Sequence, residues 1–196
     1  MRIVIKMDRR DYYYWEARRR GYRSRAAFKL IQINKKFKII KKGNFVLDLG
    51  AAPGGWSQVA TELGAKVVAV DLNPIKPIEG VTFIQGDITK NETLEKIKKV
   101  KSKFDVVISD ASPKITGKWD IDHLLSVELA EASFNIAKNV LRPGGNFVVK
   151  IFQGKEIERV YSDFKKFFKF KKFHSPLASR KRSSEIYFIG KGFKKI

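Results

Sequence analysis

An acid followed by a glycine-rich stretch gives the clearest chemical signal in this sequence: Asp48–Gln58 reads DLGAAPGGWSQ. The stretch follows the apolar run Phe45–Leu47 and opens an amphipathic segment, which predicts a strand, a tight loop and a helix in that order. Glycine lets the backbone approach a ligand closely, and the start of the helix adds unpaired N–H groups. The stretch therefore predicts a binding loop for a small ligand, although several ligand classes use such loops.

A second acid narrows the choice of ligand. Asp71 ends the apolar run Val68–Val70, and an acid at the second strand tip commonly accepts hydrogen bonds from a ribose diol. This position fits NAD and S-adenosylmethionine equally well. The loop distinguishes NAD from S-adenosylmethionine. Ala51–Pro53 stand where the loop of a dinucleotide site needs glycine, and Asp48 suits an ammonium group better than a phosphate. We therefore favour S-adenosylmethionine.

Charged residues also follow the later strand-like runs. Asp87 comes just after the third run, Asp110 ends the fourth and Lys150 ends the fifth. The carboxyl ends of parallel strands meet at one crevice, where α/β proteins bind ligands. Asp87 could take an adenine amino group there, or it could cap the helix that follows. Lys150 needs a functional explanation, because a charge in the apolar stretch Phe147–Ile151 is costly beside a core.

Apolar runs that alternate with helical patterns predict the fold. The chain is predicted to form one doubly wound, mostly parallel, seven-stranded α/β sheet whose last strand is antiparallel. The strands are expected at Phe45–Leu49, Val67–Val70, Thr82–Gln85, Phe104–Ser109, Asn146–Ile151, Phe170–His174 and Glu185–Gly190. Helices are expected at 55–63, 91–100, 122–140 and 155–168, and an earlier one from Ser24, as N-cap, to about Ile40, with Gly43 ending it.

Composition limits the partners and the chemistry. The 196 residues contain 41 Lys and Arg against 20 acids, a formal charge of +21. That excess favours nucleic acid over a membrane surface, with a merely solvated basic surface as the alternative. Cysteine is absent and only His123 and His174 are present, so we expect no disulfide, no cysteine nucleophile and no metal site, and we interpret both histidines as structural or surface residues. No apolar run is long enough to span a membrane, and a cytoplasmic location is predicted.

Several segments outside the glycine loop carry further expectations. Residues 1–23 mix arginines with Tyr12, Tyr13, Tyr14 and Trp15, which predicts an RNA-contacting segment in front of a single domain at 24–196; in the alternative, Tyr13 and Trp15 pack on that domain. Basic residues at 180–182 and 191–195 could widen the basic face. The loop Pro113–Asp122, with Trp119, is predicted to be a mobile rim over a cleft, and Phe164, Phe167, Phe168 and Phe170 are predicted to be core.

Five segments together resemble one known family. They are SRAAFKL at Ser24–Leu30, DLGAAPGGWSQ at Asp48–Gln58, VISDASP at Val107–Pro113, FVVKIFQG at Phe147–Gly154 and SSEIYFIG at Ser183–Gly190. In this order they resemble the FtsJ/RrmJ (RlmE) family of S-adenosylmethionine-dependent ribose 2′-O-methyltransferases. The resemblance implies a Rossmann-like methyltransferase fold and methylation of a uridine 2′-hydroxyl in large-subunit (23S-type) ribosomal RNA.

The resemblance also implies site residues. The family's Lys-Asp-Lys-Glu tetrad maps onto Lys29, Asp110, Lys150 and Glu185. Its cofactor-contacting positions correspond to Gly54, Trp56, Asp71, Asp87 and Asp110, to which the loop and strand-tip analysis adds Asp48, Gly50, Pro53, Gly55, Leu72 and Ile88. No metal is implied.

The chemistry of such a tetrad follows from lysine itself. Lys150 as general base must lose a proton, and moving a lysine from about 10.4 to neutrality means a shift of about three pKa units, or roughly 4 kcal/mol. A second cation, Lys29, and partial burial push in that direction, whereas Asp110 and Glu185 push against it. We therefore expect the acids to orient the amines, with Asp110 holding Lys150. Lys29 would stabilise the forming 2′-alkoxide or hold a phosphate.

Other interpretations of the sequence stay open. Lys29 could be a solvated helix residue and Glu185 an edge-strand surface charge. The same chemistry could act on transfer RNA or an RNA cap, since the motifs describe a reaction rather than a target. The chain could also be a non-catalytic RNA-binding ribosome-assembly factor, which the intact tetrad disfavours, or a nicotinamide oxidoreductase, which the loop disfavours. A monomer that binds ribosomal RNA or the large ribosomal subunit is the default expectation.

Overall fold

The computed structural model describes residues 9–179 and 183–195, with side chains described from Tyr12 onward. Within these ranges the chain forms helices and strands in the alternating order expected for an α/β protein. The helices are α1 (Arg9–Arg19), α2 (Ala27–Phe37), α3 (Gly55–Glu62), α4 (Asn91–Val100), α5 (Trp119–Val140) and α6 (Ile157–Lys165). The strands are β1 (Phe45–Leu49), β2 (Lys66–Asp71), β3 (Val81–Gln85), β4 (Phe104–Ser109), β5 (Leu141–Phe152), β6 (Phe168–His174) and β7 (Glu185–Phe193).

The strands form one seven-stranded sheet in the order β3-β2-β1-β4-β5-β7-β6. Strands β1 to β5 pair in parallel, whereas β7 runs antiparallel to both of its neighbours, β5 and β6. The predicted fold class is therefore confirmed. Because β7 is antiparallel, its first residue lies at the sheet edge where β5 ends: Glu185 pairs with Phe152, and Tyr187 pairs with Lys150.

Two apolar layers cover the two faces of the sheet. Helices α2 and α3 pack on one face, against side chains such as Val46 and Ile108, and helices α4 to α6 pack on the other, against Leu47 and Val107. Neighbouring residues of a strand point to opposite faces, so the sheet is apolar on both sides, as is typical of parallel sheets covered by helices. By the same alternation, Lys150 lies on the α2–α3 face together with Val148.

The second helix differs from its prediction at both ends. Ser24 is not its N-cap: α2 begins at Ala27, and Ser24 contributes only its backbone carbonyl, which accepts the Ala27 N–H in a tight turn. The helix also ends at Phe37, well before Gly43, with Lys38 in the left-handed region at φ 54°. The physical reason is burial, because leaving the helix there places Ile39 in the core.

Other helices and strands also have bounds that differ from the prediction. Helix α5 starts at Trp119 rather than 122, so the loop that was predicted to extend to Asp122 is shorter. Helix α6 ends at Lys165, and Phe168 begins a strand instead of ending a helix. Phe164 and Phe168 are buried as predicted. Phe170 is not core, because it lies on the edge strand β6 and is 43% exposed.

Helix α1 was not predicted as a helix. Its small residue Ala17 is buried beside Phe28 and Ala178, and Tyr13 packs on the ring of Phe28. The first described helix is therefore attached to the domain through one narrow face. In the part of the chain that the structure describes, no helix combines the length and apolarity that crossing a membrane requires.

Candidate active site

A cavity of about 270 Å³ opens at the carboxyl ends of β1, β2 and β4. Six of the residues predicted to bind the cofactor line it: Gly50, Asp71, Leu72, Asp87, Ile88 and Asp110. Strand-to-helix loops bring these residues together at one sheet edge, which is where open α/β sheets bind ligands. The cavity is therefore the candidate cofactor site.

Asp71 is held at this cavity by backbone hydrogen bonds. Its Oδ2 accepts the Ala52 N–H at 2.9 Å and its Oδ1 accepts the Asn73 N–H at 2.8 Å. The glycine loop and the second strand tip are thus tied to each other through one carboxylate. Each oxygen keeps a further lone pair, so the carboxylate can also accept hydrogen bonds from a diol.

Gly50 shows why the loop needs glycine at the first position. Its φ is +70°, and a Cβ built there would lie 2.6 Å from both Cα and Cβ of Ala111. The loop after β1 and the segment after β4 therefore touch backbone to backbone. This contact shapes one wall of the cavity and fixes Asp110, which directly precedes Ala111.

Asp87 forms a local turn rather than a helix cap. Its Oδ1 accepts the Thr89 N–H at 2.9 Å and the Thr89 hydroxyl at 2.7 Å. The Thr89 backbone hydrogen bond, followed by the hydroxyl, holds the pKa of Asp87 below its ordinary value. The N-cap of α4 is Lys90, so the alternative in which Asp87 caps that helix is wrong.

Asp48 is buried beneath the cavity instead of lining it. Its side chain has no exposed surface, its Oδ2 accepts the Ser57 hydroxyl at 2.6 Å, and its Oδ1 has no hydrogen-bond partner among the described residues. Burial raises the pKa of Asp48 to about 7, and the nearby charges of Asp110 and Asp71 act in the same direction. A buried oxygen without a partner is unusual in a folded protein, and a positive charge close to the cavity floor would favour the ionised form of this carboxyl group.

The rest of the glycine loop braces the site from outside the cavity lining. The Pro53 carbonyl accepts a hydrogen bond from the Arg23 guanidinium, Gly54 is the N-cap of α3 at φ 110°, and the Trp56 indole N–H donates to the Ala26 carbonyl at 2.9 Å. Together with Gly55, these residues link the loop to the segment before α2. The structure therefore does not place Pro53, Gly54, Gly55 or Trp56 at the cavity wall.

The four tetrad residues meet beside the cofactor cavity. Lys150 Nζ lies 3.3 Å from Asp110 Oδ1 and 4.0 Å from Glu185 Oε1, and Lys29 Nζ lies 2.8 Å from Glu185 Oε2 and 3.9 Å from Asp110 Oδ1. Lys150 Nζ also donates to the Asp110 backbone carbonyl at 2.8 Å. Both lysines are nearly buried, with 7% of Lys29 and 5% of Lys150 exposed. Lys29 is therefore not a solvated helix residue.

Tyr187 is a member of this cluster that sequence reasoning missed. Its hydroxyl donates to Asp110 Oδ1 at 2.7 Å, and its ring lies 5.8 Å from Lys29 Nζ. Burial alone would raise the pKa of Asp110, but the charges of Lys150 and Lys29, with this hydroxyl, hold it below its ordinary value. The available signal was strand alternation, because Tyr187 follows Glu185 by two positions and so shares its face.

A second cavity, of about 570 Å³, adjoins the first across Ser112, which lines both. Lys29 and Glu185 lie in its wall, together with Arg25, Trp119 and Phe152. The tetrad therefore stands where the two cavities meet. This arrangement suits a reaction between two ligands that enter from different sides.

His123 holds the chain that follows Lys150. Its Nε2 accepts the Glu156 N–H at 3.1 Å, so its Nδ1 carries the hydrogen and donates to the Phe152 carbonyl at 2.9 Å. Gly154 allows this contact, because a Cβ there would lie about 2.4 Å from the imidazole ring. His123 is buried and structural, as expected. Among the described residues, no group of three or more His, Asp or Glu side chains could hold a metal ion.

The surface near the N-terminus carries exposed rings and arginines. Tyr12, Tyr14 and Trp15 are each about half exposed, and the Arg18 guanidinium lies 5.7 Å from the Trp15 ring. Tyr13 instead packs on Phe28, so the packing alternative holds for Tyr13 but not for Trp15. Residues 1–8 of the predicted RNA-contacting segment and the basic residues 180–182 lie outside the described residues.

A solved structure supports the class of protein that this fold and site define. A crystal structure described as that of a ribosomal RNA methyltransferase from Plasmodium falciparum is 32% identical, with a TM-score of 0.79, and the match covers 88% of this chain and 98% of that one. The protein thus has the Rossmann-like methyltransferase fold.

Sequence comparisons define the family more closely. The model of the FtsJ-like methyltransferase family matches residues 22–193, and the chain belongs to that family. A protein of Archaeoglobus fulgidus named ribosomal RNA large subunit methyltransferase E is 68% identical over 189 residues, which cover 96% of this chain and 99% of that protein. A protein of the same name from Methanothrix thermoacetophila is 54% identical over 186 residues, which cover 94% of this chain and 73% of that protein. The expected activity class and methyl donor, S-adenosylmethionine, are confirmed with the family.

Proposed function

We propose that this protein transfers the methyl group of S-adenosylmethionine to a ribose 2′-hydroxyl of a uridine in large-subunit ribosomal RNA, with Lys150 as general base. The observation that carries the proposal is the convergence of Lys29, Asp110, Lys150 and Glu185 at the junction of two cavities. The names of the relatives support ribosomal RNA as the substrate.

The residues of the smaller cavity fit S-adenosylmethionine. Asp71 would accept the ribose hydroxyls and Asp87 the adenine amino group, while Gly50 leaves room for close approach of the backbone. The unpartnered Oδ1 of Asp48 lies below the same loop and favours a positive charge above it. When bound, S-adenosylmethionine supplies a methyl carbon that is electrophilic because it is attached to a sulfonium.

Lys150 is positioned to accept a proton. A neutral lysine amine has two N–H hydrogens and one lone pair. Nζ donates to the backbone carbonyl of Asp110 at 2.8 Å and lies 3.3 Å from its carboxylate, so Asp110 orients the amine, which has to lose its own proton before it can act as a base. The lone pair is then free to take the 2′-hydroxyl proton, which leaves the electron pair on the ribose oxygen.

Lys29 has a different role because its contacts differ. Its ammonium is held by Glu185 Oε2 at 2.8 Å, and it lines the larger cavity, where the ribose would enter. From there its charge stabilises the forming 2′-alkoxide and the phosphate beside it. Glu185 fixes Lys29 in place, and Asp110 and Tyr187 fix Lys150. Since the reaction is a direct displacement, positioning of the oxygen supplies much of the rate.

The exposed face of α1 is proposed as an RNA contact surface. Aromatic rings stack on unpaired bases and arginines contact phosphates, and Tyr14, Trp15 and Arg18 present both at the surface. The formal charge of the whole chain, +21, also favours binding to negatively charged RNA. RNA binding should therefore be dominated by phosphate contacts.

The dependence of RNA affinity on salt concentration tests this proposed surface. We expect the affinity for ribosomal RNA, measured by filter binding, to fall roughly tenfold or more between about 50 and 200 mM salt, because bound counterions are released on binding. Arg18→Ala should weaken RNA binding and make the affinity less sensitive to salt concentration. Lys98→Ala on α4, which packs on the opposite face of the sheet, is the matched control. A salt-independent affinity would contradict phosphate-dominated binding.

Mapping of methylated nucleotides tests the proposed function. The protein is incubated with labelled S-adenosylmethionine and with ribosomal particles, naked ribosomal RNA or transfer RNA, and the products are digested and sequenced. A 2′-O-methyluridine in large-subunit RNA is expected. Methylation of transfer RNA would redirect the substrate assignment, and binding of ribosomal RNA without any methylation would favour a non-catalytic assembly factor.

A further inference from the structure

Trp119 is an exposed aromatic residue at the mouth of the larger cavity. It is 51% exposed and lines that cavity together with Ile115 and the catalytic-site residues Lys29 and Glu185. A large apolar side chain that stays half exposed at a polar site is a candidate ligand contact.

The position of Trp119 on its helix aims the ring over the cavity. Trp119, His123 and Ser126 follow the spacing i, i+4, i+7 and so share one face of α5. His123 and Ser126 are buried on that face. Trp119 continues the buried face beyond the core, and its ring stays exposed because the cavity lies beneath it. Leu124, equally exposed at 51%, lies on the opposite face of the helix.

The loop before Trp119 is fixed by hydrogen bonds. The Asp122 carboxylate accepts the N–H and the hydroxyl of Thr116, each at 2.8 Å, and the Gly117 N–H at 3.2 Å. These hydrogen bonds fix the backbone just before Trp119 and so limit where its ring can lie before any ligand arrives. Preorganised rings make effective stacking surfaces, since little entropy is lost when they bind.

The buried lysines of the tetrad require the target nucleotide to enter the larger cavity. Lys29 and Lys150 are 7% and 5% exposed, so the 2′-hydroxyl must enter the cavity to contact them. A nucleotide that has left its stack can enter such a cavity more easily than one held in a duplex, and its base then needs a new stacking partner.

We infer that the larger cavity holds the extruded base of the nucleotide that is methylated, stacked on the indole of Trp119. This inference rests on the proposed function and adds the contact that positions the nucleotide. The base gains a stacking partner while its ribose faces the tetrad. Stacking accepts any base, so Trp119 promotes extrusion and does not by itself select uridine.

A cycle of protein and RNA changes tests the inference. The substrate is a ribosomal RNA fragment with the mapped methylation site, made with the normal target nucleotide or with an abasic ribonucleotide there. Trp119→Ala should lower kcat/KM on the normal RNA by about 10- to 100-fold, and Trp119→Phe should recover most of the loss. On the abasic RNA, Trp119→Ala should change kcat/KM by less than roughly threefold, because this RNA has no base that could stack on the indole ring.

Leu124→Ala is the matched control on the same helix, and thermal unfolding checks that each variant is folded. Equal losses for Trp119→Ala on both RNAs, or none on the normal RNA, would overturn the stacking site. The proposed function is tested separately, because the mapped position of the methyl group on RNA treated with the unchanged protein decides it, whatever the Trp119 variants do.

Discussion

Replacing Lys150 by Met is expected to lower methyl transfer by about 10²- to 10⁴-fold, the usual contribution of a general base. Met keeps most of the side-chain volume in this nearly buried position but has no lone pair that can accept the 2′-hydroxyl proton. Lys150→Arg should be almost as inactive, because a guanidinium stays protonated. Single-turnover methyl incorporation into the mapped RNA measures both variants.

Cofactor affinity separates a lost base from a damaged site. Lys150 lies outside the lining of the smaller cavity, so binding of S-adenosylmethionine, measured by calorimetry, should change little in Lys150→Met. Turnover that stays near the original rate while the cofactor still binds would remove Lys150 as the base. Loss of both binding and activity would instead place Lys150 among the residues that hold the site together.

Asp48→Asn is expected to remove a large pH dependence of stability. Burial raises the pKa of Asp48 to about 7 from an ordinary value of 3.8. Between these values the folded chain holds a proton that the unfolded chain releases. The stabilisation is therefore complete below about pH 4 and is lost as pH rises through about 7. A shift of about three units corresponds to roughly 4 kcal/mol.

The variant is compared with the original protein at both ends of this window. Urea unfolding near pH 4.5 and pH 8.5 gives the unfolding free energy of each, and the original protein should lose about 3 kcal/mol more than Asp48→Asn on going to the higher pH. The comparison cancels groups that titrate in both proteins, including Asp110, whose lowered pKa acts in the opposite direction. Parallel pH profiles would show that Asp48 is ionised throughout.

Much of the fold was predictable because its signals are local. The run Phe104–Ser109 has three consecutive β-branched apolar residues at its centre, and strand β4 has the same bounds as the predicted strand. The strand-tip pattern predicted that Asp110 and Lys150 lie close together, because they stand near the carboxyl ends of parallel neighbours. Lys29 and Glu185 were added only by the resemblance to the family. The roles of these residues in the reaction stay predictions.

The misses depended on contacts between distant segments. Ser24 looks like a helix cap, but the site of the helix start is decided by the packing of the segment 23–26 on the glycine loop. Pro53, Gly54 and Trp56 stay predicted cofactor contacts, but the sequence did not indicate that Arg23 would bind the Pro53 carbonyl or that the Trp56 indole would bind the Ala26 carbonyl. Asp48 looks like an exposed strand tip, and only the covering loop and α3 show that it is buried.

The insertion of β7 between β5 and β6 completes the contacts of the active centre. Glu185 lies 156 positions along the chain from Lys29, and Tyr187 lies 77 positions from Asp110. Before β7 enters the sheet, Lys29 does not have its contact with Glu185, and Asp110 does not have its hydrogen bond from Tyr187. A chain without β7 in the sheet would keep the contact of Lys150 with Asp110 but would lack the acid that holds Lys29 and the hydroxyl that holds Asp110, so the full set of tetrad contacts requires the complete sheet.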